Sequence, residues 1–220
     1  MKTKTETIRI LLADDHAIMR DGLQSLIQAQ PDLELVAAVG SGREAVSQAI
    51  AVGPDVVVMD IAMPDLNGID ATRKIVSENP HIKILCLTMH KEQSMIQAMF
   101  KAGACGYLVK ENAGRELLDA IRTVATGETY ISPVIADDLV QAYICREGGV
   151  SNSIYSELTS REREILQLIA EGRNTKEIAA ELDISDKTVA AHRLSLMDKL
   201  ECPCVADLTR YAIRQGLVKP

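Results

Sequence analysis

Between Ile8 and Thr126 the chain repeats one pattern five times: a short β-rich apolar run, a breaker, then a segment with helical spacing. The runs are 8–13, 33–39, 55–60, 82–87 and 105–109, and the amphipathic segments lie near 17–29, 42–52, 67–78, 91–102 and 113–126. Gly40, Gly42, Gly53-Pro54, Pro64, Asn79-Pro80, Gly103 and Gly106 punctuate them. Strands that alternate with helices pair in parallel and carry the helices on both sheet faces. The stretch is too short for an eight-stranded barrel, so the expected fold is α/β, a five-stranded doubly wound parallel sheet. With no Trp and one Phe in a chain that is 47% hydrophobic, its core must be aliphatic.

If the strands are parallel, their C-terminal ends share one edge, where open α/β sheets bind ligands. Polar residues stand at those ends. Asp14 and Asp15 follow the first run, Asp60 the third, Thr88 the fourth and Lys110 the fifth. Three carboxylates offer hard oxygen ligands, and Mg²⁺ is the cation commonly held by one or two carboxylates together with phosphate oxygens and water. With a cation present, one carboxylate can attack phosphorus, while the lysine and the hydroxyl stabilise the phosphoryl oxygens. An Asp at one strand end is usually a cap or turn residue; the argument rests on all the ends together. His16 reads as a solvated or capping residue, His90 faces the site region, His81 lies in a loop, and Met95 and Met99 fit core positions.

After Gly127 the period changes. Pro133–Ile144 suits a helix, and 146–153 has the composition of a flexible linker. Two capping boxes follow, Thr159 with Glu162 and Asn174 with Glu177. Ser185 can cap a helix through Leu200, and 205–215 suggests a fourth. The expected layout is a unit over 8–127, a linker with a helix over 128–153, and an all-α four-helix module over 154–218. Two of its helices, joined by Asp183-Ile184-Ser185-Asp186, make a helix-turn-helix.

Both regions resemble known families. Asp14-Asp15, Val58-Met59-Asp60-Ile61-Ala62-Met63-Pro64-Asp65-Leu66-Asn67-Gly68, Thr88 and Ala102–Lys110 resemble the receiver domain of bacterial two-component response regulators. That resemblance implies a flavodoxin-like strand order 2-1-3-4-5 and a phosphoryl group accepted on Asp60 from a sensor histidine kinase. It further implies Mg²⁺ held by Asp15, Asp60 and the Ala62 carbonyl with Asp14 assisting, and a switch in which Thr88 moves and Tyr107 turns inward. Leu158–Leu166, Ile169–Gly172, Lys176–Ala179, Lys187-Thr188-Val189, His192-Arg193 and Lys199-Leu200 resemble the LuxR-type DNA-binding domain. Together the halves are similar to NarL/FixJ-type response regulators. The resemblance implies promoter DNA as ligand, a homodimer through the last helix on DNA or after phosphorylation, and RNA polymerase within reach of a promoter-bound regulator.

Lys187, Thr188, His192, Arg193 and Lys199 are the expected phosphate contacts. Ala190 and Ala191 stand where relatives often carry polar residues; alanine can touch a thymine methyl but makes no bidentate base contact. Sequence would then be read partly through DNA shape. The net charge of −7 argues against indiscriminate nucleic-acid binding by the whole molecule. The polar N-terminus lacks an apolar secretory stretch, and no apolar run reaches the roughly 20 residues of a membrane span, so a cytoplasmic protein is expected. The five cysteines form no metal or disulfide framework. A phosphohydrolase reading lacks an acid two residues after Asp60, where Ala62 stands, so no enzyme is expected. A regulator acting through protein contacts alone is the remaining alternative.

Overall fold

The computed structural model describes residues 7–89, 93–136, 158–215 and 217–218. The strands β1 (Ile8–Ala13), β2 (Leu33–Val39), β3 (Val56–Met59), β4 (Lys83–Thr88) and β5 (Gly106–Val109) alternate with α1 (Ala17–Gln28), α2 (Gly42–Val52), α3 (Gly68–Glu78), α4 (Gln93–Ala102) and α5 (Ala113–Ala125). All pairings are parallel, in the order β2-β1-β3-β4-β5, as expected, with one addition. A two-residue strand, β6 (Tyr130–Ile131), extends the edge beside β5 and makes the sheet six-stranded. Five strands was therefore an undercount. A two-residue strand carries no alternation; Tyr130 and Ser132 join by backbone bonds to the Cys105 and Tyr107 carbonyls.

Side-chain alternation builds two apolar layers. Ile10, Leu12, Val56, Val58, Leu85, Leu87 and Leu108 face α1 and α5, while Leu11, Val57, Met59, Ile84 and Cys86 face α2, α3 and α4. Each fully buried aliphatic side chain contributes about 1.5–3 kcal/mol relative to exposure. Met95 and Met99 lie in this core, as expected. So does Ile135, which ties the start of the expected linker to the first domain. Most of the helix expected over 133–144 lies outside the described residues, as does His90.

The second module consists of α6 (Ser160–Ala170), α7 (Thr175–Leu182), α8 (Asp186–Lys199) and α9 (Val205–Arg214). Both capping boxes form, and the Ser185 side chain accepts from Thr188 N. Asp183, at φ 51°, turns the chain from α7 into α8. Leu158, Ile165, Leu168, Ile178, Val189, Leu196, Leu208 and Ala212 make a separate core. Of α9, Leu208 and Ala212 are buried in that core, while Tyr211 and Ile213 are half-buried.

The two modules touch through polar groups. Arg163 on α6 donates to Asp70 of α3 (2.8 Å), Lys74 pairs with Glu164, and Arg43 lies 3.3 Å from Glu181. Glu162 to Ile169 are all buried, because one side of α6 faces its own core and the other faces the receiver-like domain.

Candidate functional site

Register brings the strand-end residues together. Ala13 lies opposite Met59, and Asp60 N donates to the Ala13 carbonyl (2.9 Å), so Asp14 and Asp60 stand level at the C-terminal edge. Thr88 lies opposite Val109, which brings Lys110 in from the next strand. The Lys110 Nζ donates to Asp60 Oδ2 at 2.7 Å and lies 2.7 Å from Asp14 Oδ2. All three groups are buried. Burial raises the Asp60 carboxyl above the usual carboxylate range; Lys110 opposes that shift, and Asp14 and Asp15 add to it. Burial would lower the Lys110 ammonium, but Asp60 and Asp14 more than offset it and hold it above its ordinary value. The triad is an electrostatic unit whose members depend on one another.

Asp15 is partly exposed and, with Ala62, lines a cleft of about 350 Å³. One ligand atom from each of Asp14, Asp15, His16 and Asp60 lies within 4.8 Å of the others. Asp14 Oδ2 is buried and faces the Lys110 ammonium across 2.7 Å. Three hard carboxylates converging at one cleft fit a small divalent cation. Thr88 is buried at the end of β4. Tyr107 is fully buried on β5.

His16 sits closer to this chemistry than its expected solvated or capping role. It occupies the α1 N-cap position without a side-chain cap bond. Its Nδ1 is 3.2 Å from Asp14, 3.1 Å from Asp15 and 3.4 Å from Lys110 Nζ. Adjacency to the acidic pair was the only sequence signal for it. On that side an apolar groove of about 540 Å³, lined by Ile18, Met19, Leu23, Leu26 and Met89, runs up to His16 and Lys110. Ile18 is 91% exposed.

The loop from Asp60 to α3 is held tightly. Gly68 N donates to the Ile61 carbonyl (2.8 Å), and a Cβ at Gly68 would stand 1.9 Å from the Asp60 carbonyl oxygen. Asn67 caps α3 by accepting from Asp70 N. Gln167 of α6 reaches this loop, as does Glu171, whose carboxyl burial raises above its ordinary range. Nothing in the sequence distinguished these two from solvated helix residues.

On α8, Lys187, Ala190, Ala191 and Lys199 are exposed, while Thr188, His192 and Arg193 are half-buried. Docking therefore leaves much of this helix open. The Thr188 hydroxyl is 2.8 Å from Ser185 Oγ, within the cap. Lys199 is engaged differently from the others. Its ammonium donates to both oxygens of Glu162 (2.8 and 2.9 Å), tying α8 to α6. Burial would raise Glu162, but hydrogen bonds from Lys199, the Thr159 backbone and Ser195 outweigh it and hold the carboxyl at about 2. Among the described residues the cysteines are free, and none joins a cluster of potential metal ligands; Cys204 Sγ instead donates to Asp207 (2.9 Å). No described helix is long and apolar enough to cross a membrane.

Comparison with known proteins finds two family matches along the chain. Residues 10–122 match the response regulator receiver domain, and residues 156–212 match the bacterial regulatory proteins of the luxR family. The oxygen regulatory protein NreC of Staphylococcus carnosus is 39% identical over 96% of this chain and 99% of its own. The transcriptional regulatory protein LiaR of Bacillus subtilis is 38% identical over 96% and 99%. Among solved structures, a LuxR-family two-component response regulator from Aurantimonas sp. SI85-9A1 is 37% identical with a TM-score of 0.61, over 63% of this chain and 99% of that one. The response regulator ChrA of a heme-sensing two-component system is 32% identical with a TM-score of 0.52, over 96% and 99%. A receiver sheet ending in buried acids, followed by a helix-turn-helix of the LuxR type, makes this chain a member of the NarL/FixJ family, the DNA-binding response regulators of two-component systems.

Proposed function

We propose that Asp60 is the phosphoacceptor and that its phosphorylation controls binding of α8 to promoter DNA. The observation that carries this reading is the buried ammonium of Lys110 bonded to Asp60 and beside Asp14. An Asp60 oxygen attacks the phosphorus of a phosphohistidine on a sensor kinase. The new O–P bond forms as the P–N bond breaks, and the imidazole keeps the electron pair and takes up a proton. Lys110 balances the charge gathering on the phosphoryl oxygens, and Thr88 donates a hydrogen bond to them. Mg²⁺, held by Asp14, Asp15, Asp60 and the Ala62 carbonyl, supplies charge neutralisation when bound. The open apolar groove beside His16 and Lys110 suits the approach of the kinase surface that carries the phosphohistidine.

A phosphoryl group adds about −1.5 to −2 charges at one point, enough to bias a two-state element. In this reading Thr88 and Tyr107 are the switch. Lys187, Thr188, His192 and Arg193 hold phosphates, with Lys199 contributing at the helix end. Ala190 and Ala191 lie against the groove edge, where methyl contact and DNA shape carry the specificity. A cytoplasmic homodimer on inverted half-sites fits the helix-turn-helix geometry, and such a molecule acts on transcription near RNA polymerase rather than as an enzyme.

The test measures promoter binding with and without acetyl phosphate for wild type and Asp60→Asn. Phosphodonor is expected to tighten wild-type binding and leave Asp60→Asn unchanged. Equal responses would remove Asp60 from the mechanism, and absence of specific DNA at any salt concentration would sink the transcriptional role.

A further inference from the structure

Gln167 belongs to the DNA-binding domain by sequence and to the phosphoacceptor loop by its contacts. Its side chain is fully buried. Nε2 donates to the Met63 carbonyl (2.9 Å), and Oε1 accepts from Asn67 N (2.7 Å) and Asn67 Nδ2 (3.1 Å). Nε2 also donates to Glu171 (2.8 Å), whose Oε1 accepts from Asp65 N at 3.2 Å. One amide from the second domain therefore spans the turn that leads out of Asp60, and the neighbouring carboxylate holds that turn's tip.

The carbonyls of this turn divide unequally. Ile61 O accepts from Met63 N and Gly68 N, Met63 O accepts from Gln167, and Pro64 O accepts from Leu66 N. Among the described residues no hydrogen-bond donor meets the Ala62 carbonyl between them, and Ala62 lines the same cleft as Asp15, together with Ala170 and Glu171. A carbonyl fixed from both sides and left unclaimed loses little freedom when it takes a ligand. Groups that orient a ligand in this way commonly govern metal affinity as strongly as some ligands do.

We propose that Gln167 is a positioning residue for the cation site of the receiver domain: by clamping Met63 and Asn67 it presents the Ala62 carbonyl, so docking of the DNA-binding domain and cation binding strengthen each other. The proposal rests on the assignment of Asp14, Asp15, Asp60 and the Ala62 carbonyl as the ligand set. Because coupling is reciprocal, whatever factor docking adds to cation affinity, the cation adds to docking.

The experiment titrates Mg²⁺ alone, by calorimetry, into the full chain as wild type, Gln167→Ala and Gln167→Met. Methionine fills nearly the same volume without either polar contact, so it keeps the packing and removes the clamp. Both variants are expected to bind Mg²⁺ about tenfold more weakly than wild type. The amides from 63 to 68 should exchange hydrogen faster in both, with or without the metal. Wild-type affinity in Gln167→Met would overturn the proposal while leaving the ligand set intact. Failure of the wild-type protein to bind Mg²⁺ would remove the ligand set itself, and the proposal with it. Should Gln167→Ala not fold, the methionine variant alone decides between clamp and packing.

Discussion

The acidic edge of the sheet and the exposed face of α8 both serve function, yet they are built on opposite terms. At the edge, Asp14, Asp60 and Lys110 are buried within 2.7 Å contacts, and the carboxyl of Asp60 and the ammonium of Lys110 are each shifted by their charged neighbours. On α8, Lys187 stands in water, where its charge is screened within about 8 Å at physiological salt. Desolvated charges form a unit that tolerates no missing member. Solvated ones add nearly independently and become valuable only when DNA supplies the partner. The difference separates residues that must be present for the domain to hold together from residues that can vary with the target.

Replacing Lys110 is the most severe way to probe that contrast. Lys110→Met leaves two buried carboxylates facing each other, and loss of one partner from a buried pair costs about 3–5 kcal/mol. Urea unfolding in the absence of Mg²⁺ should show this loss, with partial recovery when the cation is added. Lys187→Met should change stability by less than about 0.5 kcal/mol in the same assay. Equal losses would erase the distinction between the two regions.

A smaller effect concerns the pair that ties α8 into its own domain. Glu162 is held at about 2 in the fold against an ordinary value of 4.5. The unfolded chain therefore binds the proton first, and stability rises with pH across that interval. The Glu162 contribution is fully present above about pH 4.5 and is lost as the solution is acidified towards pH 2. With Lys199 partly in water, we expect it to be about 1–2 kcal/mol. Glu162→Gln should lower the melting temperature at pH 7 and narrow the gap from wild type at pH 3. A gap independent of pH would show that the carboxylate charge is irrelevant there.

The smallest expected difference lies between two lysines of one helix. Lys187→Ala should weaken promoter binding severalfold and reduce the salt slope by about one. Lys199→Ala should change that slope by less, because its ammonium already answers Glu162. Identical slopes would return Lys199 to the same role as Lys187.

The sheet was legible because each strand is a short apolar run bounded by Gly, Pro or Asp, and the polar residue after each run marks the ligand edge. Asp60, Lys110 and Thr88 could be placed on that edge from pattern alone, since parallel register leaves them no other location. β6 escaped because two residues held by Cys105 and Tyr107 carbonyls have no period of their own. Gln167 and Arg163 escaped for a different reason. Within α6 they follow the spacing of a solvent-facing side, and their contacts with residues 63–70 come from a segment about 100 residues away in sequence. His16 was read by its exposure, which is real, but not by its neighbours, which fold back onto it.

Gly68 sets how stiffly the two regions are joined. A methyl there would overlap the Asp60 carbonyl oxygen, so the first residue of α3 rests directly against the backbone of the phosphoacceptor. The next residues, Asn67 behind it and Asp70 ahead, touch Gln167 and Arg163. From there the route crosses to the second domain through two buried polar contacts, Asn67 with Gln167 and Asp70 with Arg163. A displacement of the Asp60 backbone therefore has a short path to the second domain, like a push along a rod with a hinge at its end.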